Sequence, residues 1–337
     1  MPTDGVISEK EDKRRRRRRW EELDMDCLSK VFNRVGMESL VLAVPFVCKS
    51  WYKASLSPLS WQELSFPELT RCSWSFDDDE ARSFGTFYDK FMDHFGINRS
   101  SFSITGFVKS VVDRSKGGAT LLWLPAFCTE EALRYVSDAC PLLKFLGFVD
   151  DLVLFKHSQV VPEVIGKWKY LEVLHLGGSS VPVMQQMLME LRKGKRFSER
   201  FKAMFASESP DRYNVLERIV VQIGAHCKRC TTLSLYQVDL GQVEALAIVN
   251  LLPNLRCISA TGCTIERDTV VTIMRGCKNL GLFRANHCGG FEDNDGEISK
   301  LASKTRHFAC EGCSDLPARA TAWRKYVFIR IGWDIVG

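Results

Sequence analysis

A 25-residue period governs the last third of this 337-residue chain. Leu255-x-x-Ile258-x-Ala260, Leu280-x-x-Phe283-x-Ala285 and Thr305-x-x-Phe308-x-Cys310 repeat one apolar frame, and Cys263, Cys288 and Cys313 each follow the central anchor by five residues. A fixed period of this length marks a solenoid in which each unit is one strand plus one helix. A single unit cannot bury its apolar face, so units must stack. Solenoids generally bind other proteins along an extended concave face, which puts recognition first among the functions to consider.

The frame can be followed towards the N-terminus. Leu233-x-Leu235 lies one period before Ile258; Leu171-x-x-Leu174-x-Leu176 and Leu143-x-x-Leu146-x-Phe148 precede it, and Ala119-x-x-Leu122-x-Leu124 and Trp61-x-x-Leu64-x-Phe66 fit more loosely. Two gaps break the rhythm, 58 residues from Leu64 to Leu122 and 59 from Leu174 to Leu233. Neither holds a clear frame in its middle, so each reads as one enlarged repeat. Between frames the apolar period lengthens: Leu240, Val243, Leu246 and Val249 recur every three residues, which suits a short packed helix. Asp268 is placed to cap the equivalent helix of the next unit. The fold class expected is α/β, with strand–helix units.

The formal net charge is +5, but Lys13–Arg19 alone supply seven consecutive positive charges, so the remainder is near neutral. No basic surface for nucleic acid is indicated, and no aromatic interleaving of the basic run supports base stacking. The run suits a nuclear localisation signal or a solvated tail. No apolar stretch approaches the length of a membrane span, and the N-terminus lacks an apolar signal core. The expected location is nucleus, cytoplasm or both. Of the thirteen cysteines, Cys140, Cys227 and Cys277 sit six residues before a strand anchor and Cys263, Cys288 and Cys313 five after one. Such repetition argues for small side chains filling tight corners, not for zinc at Cys227-x-x-Cys230 or Cys310-x-x-Cys313. No metal and no cofactor is expected. The six histidines form no His-x-x-x-His pair, and neither a Gly-x-Ser-x-Gly motif nor a phosphate-binding glycine loop occurs, so nothing indicates an enzyme.

Residues 20–64 do not follow the repeat. Leu28, Val31, Phe32 and Val35 form an amphipathic stripe that Gly36 ends, Leu40–Val44 leads to Pro45, and Val47-Cys48-Lys49-Ser50-Trp51 follows before Trp61. About three short helices of this size are marginal alone and should pack on the first repeat or on a partner. Here the sequence resembles the F-box family, at Leu23, Leu28, Val31, Phe32, Leu40, Val47, Cys48, Lys49, Trp51 and Trp61. Asp24 stands where that family has Pro, and Cys27 replaces one of its leucines. With the repeats, the chain looks like a plant-type F-box/leucine-rich-repeat protein. That resemblance implies a substrate receptor of an SCF-type cullin-RING ubiquitin ligase, whose F-box holds a Skp-type adaptor while the repeats hold an unidentified protein substrate. The alternative is a leucine-rich-repeat interaction scaffold whose F-box has drifted and binds weakly. A small-molecule receptor is a third class, disfavoured because seven to nine units make an arc and not a ring.

The division expected is therefore a basic tail over 1–19, an F-box-like helical module over 20–64, a leucine-rich-repeat solenoid over 65–315 and a C-terminal cap over 316–337. Adaptor contacts are assigned to Leu23, Leu28, Val31, Phe32, Leu40 and Trp51, some of which must be internal core. Substrate contacts are assigned to residues between the buried anchors: His175, Ser234, Tyr236, Ser259, Thr261, Arg284 and Asn286. Phe84, Phe87, Tyr88, Phe91, Met92 and Phe95 form a helical stripe read as the core of the first enlarged repeat. Asp77–Asp79 read as a helix-leading acidic turn, and Lys193, Lys195, Arg196, Arg200 and Lys202 as a basic insertion suited to a solvated loop or a partner contact.

Overall fold

A computed structural model describes Trp20 and residues 23–67, 86–125, 128–148, 159–177, 215–236, 238–292, 294–303 and 305–313. The basic run, Asp77–Asp79, Phe84, the 193–202 basic cluster and the expected cap lie outside these residues. In chain order come α1 (Met25–Phe32), α2 (Met37–Leu42), α3 (Lys49–Ser55), β1 (Glu63–Ser65), α4 (Thr86–Phe95), α5 (Ile104–Arg114), β2 (Leu121–Leu124), α6 (Glu130–Ala139), β3 (Phe145–Phe148), α7 (Val160–Ile165) and β4 (Val173–Leu176). There follow α8 (Val215–His226), β5 (Thr232–Tyr236), β6 (Asp239–Leu240), α9 (Gln242–Leu251), β7 (Cys257–Thr261), β8 (Thr264–Ile265), α10 (Arg267–Gly276), β9 (Leu282–Asn286), α11 (Gly296–Ala302) and β10 (His307–Glu311).

Eight strands form one wholly parallel sheet in the order β1-β2-β3-β4-β5-β7-β9-β10, and β6 and β8 pair in a small second sheet. The repeat frame dictates the register. Leu64, Leu122, Leu146, Leu174, Leu233, Ile258, Phe283 and Phe308 stand opposite one another across all eight strands. All but Phe308 are buried, and Phe308 stacks on Phe283 at 5.9 Å between ring centres. At ~2 kcal/mol for each large apolar side chain removed from water, this ladder is a principal source of stability. β1 pairs directly with β2 and β4 with β5, so neither long gap inserts a strand. The described part of the first gap forms α4 and α5, where Phe87, Tyr88 and Met92 are buried and Phe91 partly so, as the stripe requires.

From α5 onward, successive helices pack side by side along one face of the sheet. Their starts are capped by side chains where the sequence supplies them. Ser103 accepts from Gly106 N–H, Thr129 from Ala132 N–H, and Asp295 from both Glu297 and Ile298 N–H. Asp268 does not cap α10; the helix starts one residue earlier, at Arg267, and Asp268 lies in its first turn. α9 buries Glu244, Ala245 and Ile248, while Val243 and Leu246 face outward. The three-residue apolar period there marked the wrong face, because this helix is apolar almost all round.

The cysteines occupy equivalent corners. The thiols of Cys263, Cys288 and Cys313 donate to the carbonyls of Leu235, Ala260 and Ala285, each on the preceding strand. Burial pushes the Cys128, Cys140 and Cys230 thiols up to about 12. Among the described residues no group of three or more His, Cys, Asp or Glu side chains is arranged to hold a metal ion. None of the described helices is long and apolar enough to cross a membrane.

Candidate interaction surfaces

Two surfaces stand out, one on the helices of residues 23–61 and one on the open face of the sheet. Asp24 starts α1 by accepting from Asp26 N–H at 2.8 Å, so the residue that departs from the F-box pattern acts here as a helix cap. Leu28 and Phe32 are buried against Leu40, Val41 and Val44, and Phe32 meets Trp51 edge-on at 5.1 Å. The module is fastened to the sheet at three points. Asn33 Oδ1 accepts from both Gln62 N–H and Glu63 N–H at 2.9 Å, Trp61 Nε1 donates to Ser55 O at 2.7 Å, and the Arg114 guanidinium of α5 lies 4.8 Å over the Trp61 ring.

With that core closed, a set of apolar side chains is left in water. Phe46 is 58% exposed, Val47 56%, Leu56 54% and Tyr52 51%, and Met25, Val31 and Val35 are also exposed. Cys27 and Val31 stand four residues apart, on one face of α1, and both are exposed. Of the residues assigned to adaptor contact, Leu28, Phe32 and Leu40 are core, Leu23 and Trp51 are partly buried, and Val31 alone is exposed. A partner could not touch the first three without opening the module. Met25, Phe46, Tyr52 and Leu56 were not picked out from sequence, because alternation of buried and exposed positions is not regular in helices of six to eight residues.

On the open face, pairing aligns side chains into rows. One row runs Ser65, Trp123, Gly147, His175, Ser234, Ser259, Arg284 and Ala309. A second holds Tyr236, Thr261, Asn286 and Glu311. All seven residues assigned to substrate contact fall in these two rows, and none is buried. His175 is hydrogen-bonded through Nδ1 to Ser234 Oγ at 2.9 Å, and burial lowers its pKa below the ordinary 6.5.

Two residues on this face were missed from sequence. Trp123 lies 4.8 Å from the Phe145 ring and 4.8 Å from the His175 ring. It does so by crossing Gly147, where a β-carbon would come within 2.3 Å of the indole. Trp123 sits one residue after its anchor, as do His175, Ser234, Ser259 and Arg284, and that offset was the available signal. At the other end, Leu282, Arg284, Arg306, His307, Phe308 and Ala309 line a shallow depression.

No family model matches the chain. It is similar to an F-box/LRR-repeat protein of Arabidopsis thaliana, 22% identical over 288 residues that make up 83% of this chain and 75% of the relative. F-box/LRR-repeat protein 19 of the same plant is 31% identical over 134 residues, 38% of this chain and 36% of that protein. An F-box protein of Arabidopsis is 20% identical over 292 residues, 85% of this chain and 79% of the relative.

Proposed function

The chain is similar to plant F-box/leucine-rich-repeat proteins, and from that premise we propose that it is the substrate-recognition subunit of an SCF-type cullin-RING ubiquitin ligase. On this reading residues 20–64 are the F-box, which docks a Skp-type adaptor, and the strand–helix units after it are a leucine-rich-repeat solenoid that holds the protein to be ubiquitinated. The chain contributes no catalytic group; it brings the substrate to transfer machinery carried by other subunits. It acts in nucleus or cytoplasm.

The observation that supports this most is the exposed apolar set on a module whose own core is already complete. Phe46, Val47, Tyr52 and Leu56 cost solvation in the free chain and serve no internal packing, which is the signature of a partner surface. Cys27 and Val31 extend it along α1. Leu28, Phe32 and Leu40 shape it from beneath.

Co-expression with a Skp-type adaptor tests the proposal. The wild-type chain should co-purify with the adaptor, and Val31→Glu combined with Val47→Glu should lower recovery at least tenfold while the thermal melt stays unchanged. If the wild-type chain does not retain the adaptor, the interaction-scaffold reading replaces this one.

A further inference from the structure

We infer that the open face of the sheet reads an extended segment of its protein partner through two anchors: a large apolar side chain seated on the Trp123–Phe145–His175 platform, and a carboxylate paired with Arg284 five or six residues away. The inference rests on the reading of this face as the recognition surface and adds the chemistry of what it takes.

The platform is built and not incidental. Trp123 can lie flat across β3 only because position 147 is glycine, and its ring bridges from Phe145 to His175. Leu121 and Val173, from the neighbouring row, stand beside it, partly exposed. The Ser234 hydroxyl fixes the imidazole. The result is a half-exposed, preorganised apolar floor of the kind that carries binding energy at interfaces.

The path from there is low. Ser234 and Ser259 are the next two residues of the row, so nothing bulky rises between the platform and Arg284. Arg284 is exposed and forms no ion pair with a carboxylate among the described residues. The cationic side chains about it contrast with Arg267 and Arg275, whose charges are met by Asp295 and Glu297. One open guanidinium fork matches one carboxylate in bidentate geometry. Spacing follows from the sheet. Gly147 on β3 and Arg284 on β9 are four strand steps apart, which at ~4.8 Å per step is about 19 Å, the reach of five or six extended residues.

Panning a phage-displayed library of random 12-residue peptides against the full-length chain tests this. Enriched peptides should pair a Trp, Phe, Leu or Met with an Asp or Glu five or six positions away. Affinity of a selected peptide should fall at least tenfold with Trp123→Ala, and likewise with Phe145→Ala, which removes the floor without removing the indole. Arg284→Glu should abolish binding and restore it for the same peptide with Lys in place of its acid; Arg256→Ala, off the row, should change affinity less than twofold. Selected peptides lacking the pair, no selection at all, a tenfold preference for a phosphoserine in place of the acid, or failure of the charge swap would each overturn the assignment. Adaptor capture measured on the same preparations reports on the helical module alone. Loss there with peptide selection intact would sink the ligase role and leave this inference standing.

Discussion

At Gly177 the backbone turns with φ +95°, and a β-carbon there would sit 2.1 Å from the Tyr236 carbonyl oxygen. Both the left-handed conformation and the neighbouring strand exclude a side chain. Gly177→Ala should therefore cost about 2–3 kcal/mol in chemical denaturation; a variant as stable as wild type would show that this turn is not formed. His175, two residues earlier, carries a pH signature. Burial keeps its folded-state pKa below 6.5, so below that pH the unfolded chain binds more protons than the folded one and stability falls as the solution is acidified. His175→Gln should lose less stability than wild type between pH 7.5 and 5.5. Parallel loss in the two proteins would remove His175 as the source.

Short helices and strands divide residues that look alike in sequence into opposite roles. Leu28 and Val31 belong to one stripe on α1, yet Leu28 is fully buried and Val31 is 38% exposed. Leu28→Ala should cost about 2–5 kcal/mol, whereas Val31→Ala should stay within ±0.5 kcal/mol and act only on partner binding. Thiol labelling separates the cysteines in the same way. At pH 8 the exposed Cys27 should react in the folded chain, while Cys128, Cys140 and Cys230 should wait for denaturant, since only a thiolate attacks and burial holds these thiols at about 12. Rapid native-state labelling of those three would contradict the packing. The strands were legible because every parallel unit repeats one anchor in register. The face of α9 was not, because Val243, Leu246 and Ile248 are equally apolar and only the neighbouring helices α8 and α10 decide which is covered. The adaptor-contact set was half legible for a related reason. The motif marked the residues that make the module fold, and Phe46, Tyr52 and Leu56, which it leaves exposed, carry no pattern of their own.

Across the whole molecule, two surfaces are joined by rigid coupling and not by a linker. Asn33 binds the backbone of Gln62 and Glu63 at the entry to β1, Arg114 covers Trp61, and β1 is itself the first strand of the eight. A partner on the helical module and another on the open face would thus be held in a fixed relation. Asn33→Ala, which strands two backbone N–H groups, should cost about 2 kcal/mol and loosen that relation. Hydrogen exchange of the full-length chain, alone and with a Skp-type adaptor in excess, tests the central claim most directly. The account predicts slowed exchange confined to residues 23–56, with amides of β2 to β9 unchanged. Absence of any protection there, or protection spread over the sheet face, would contradict it.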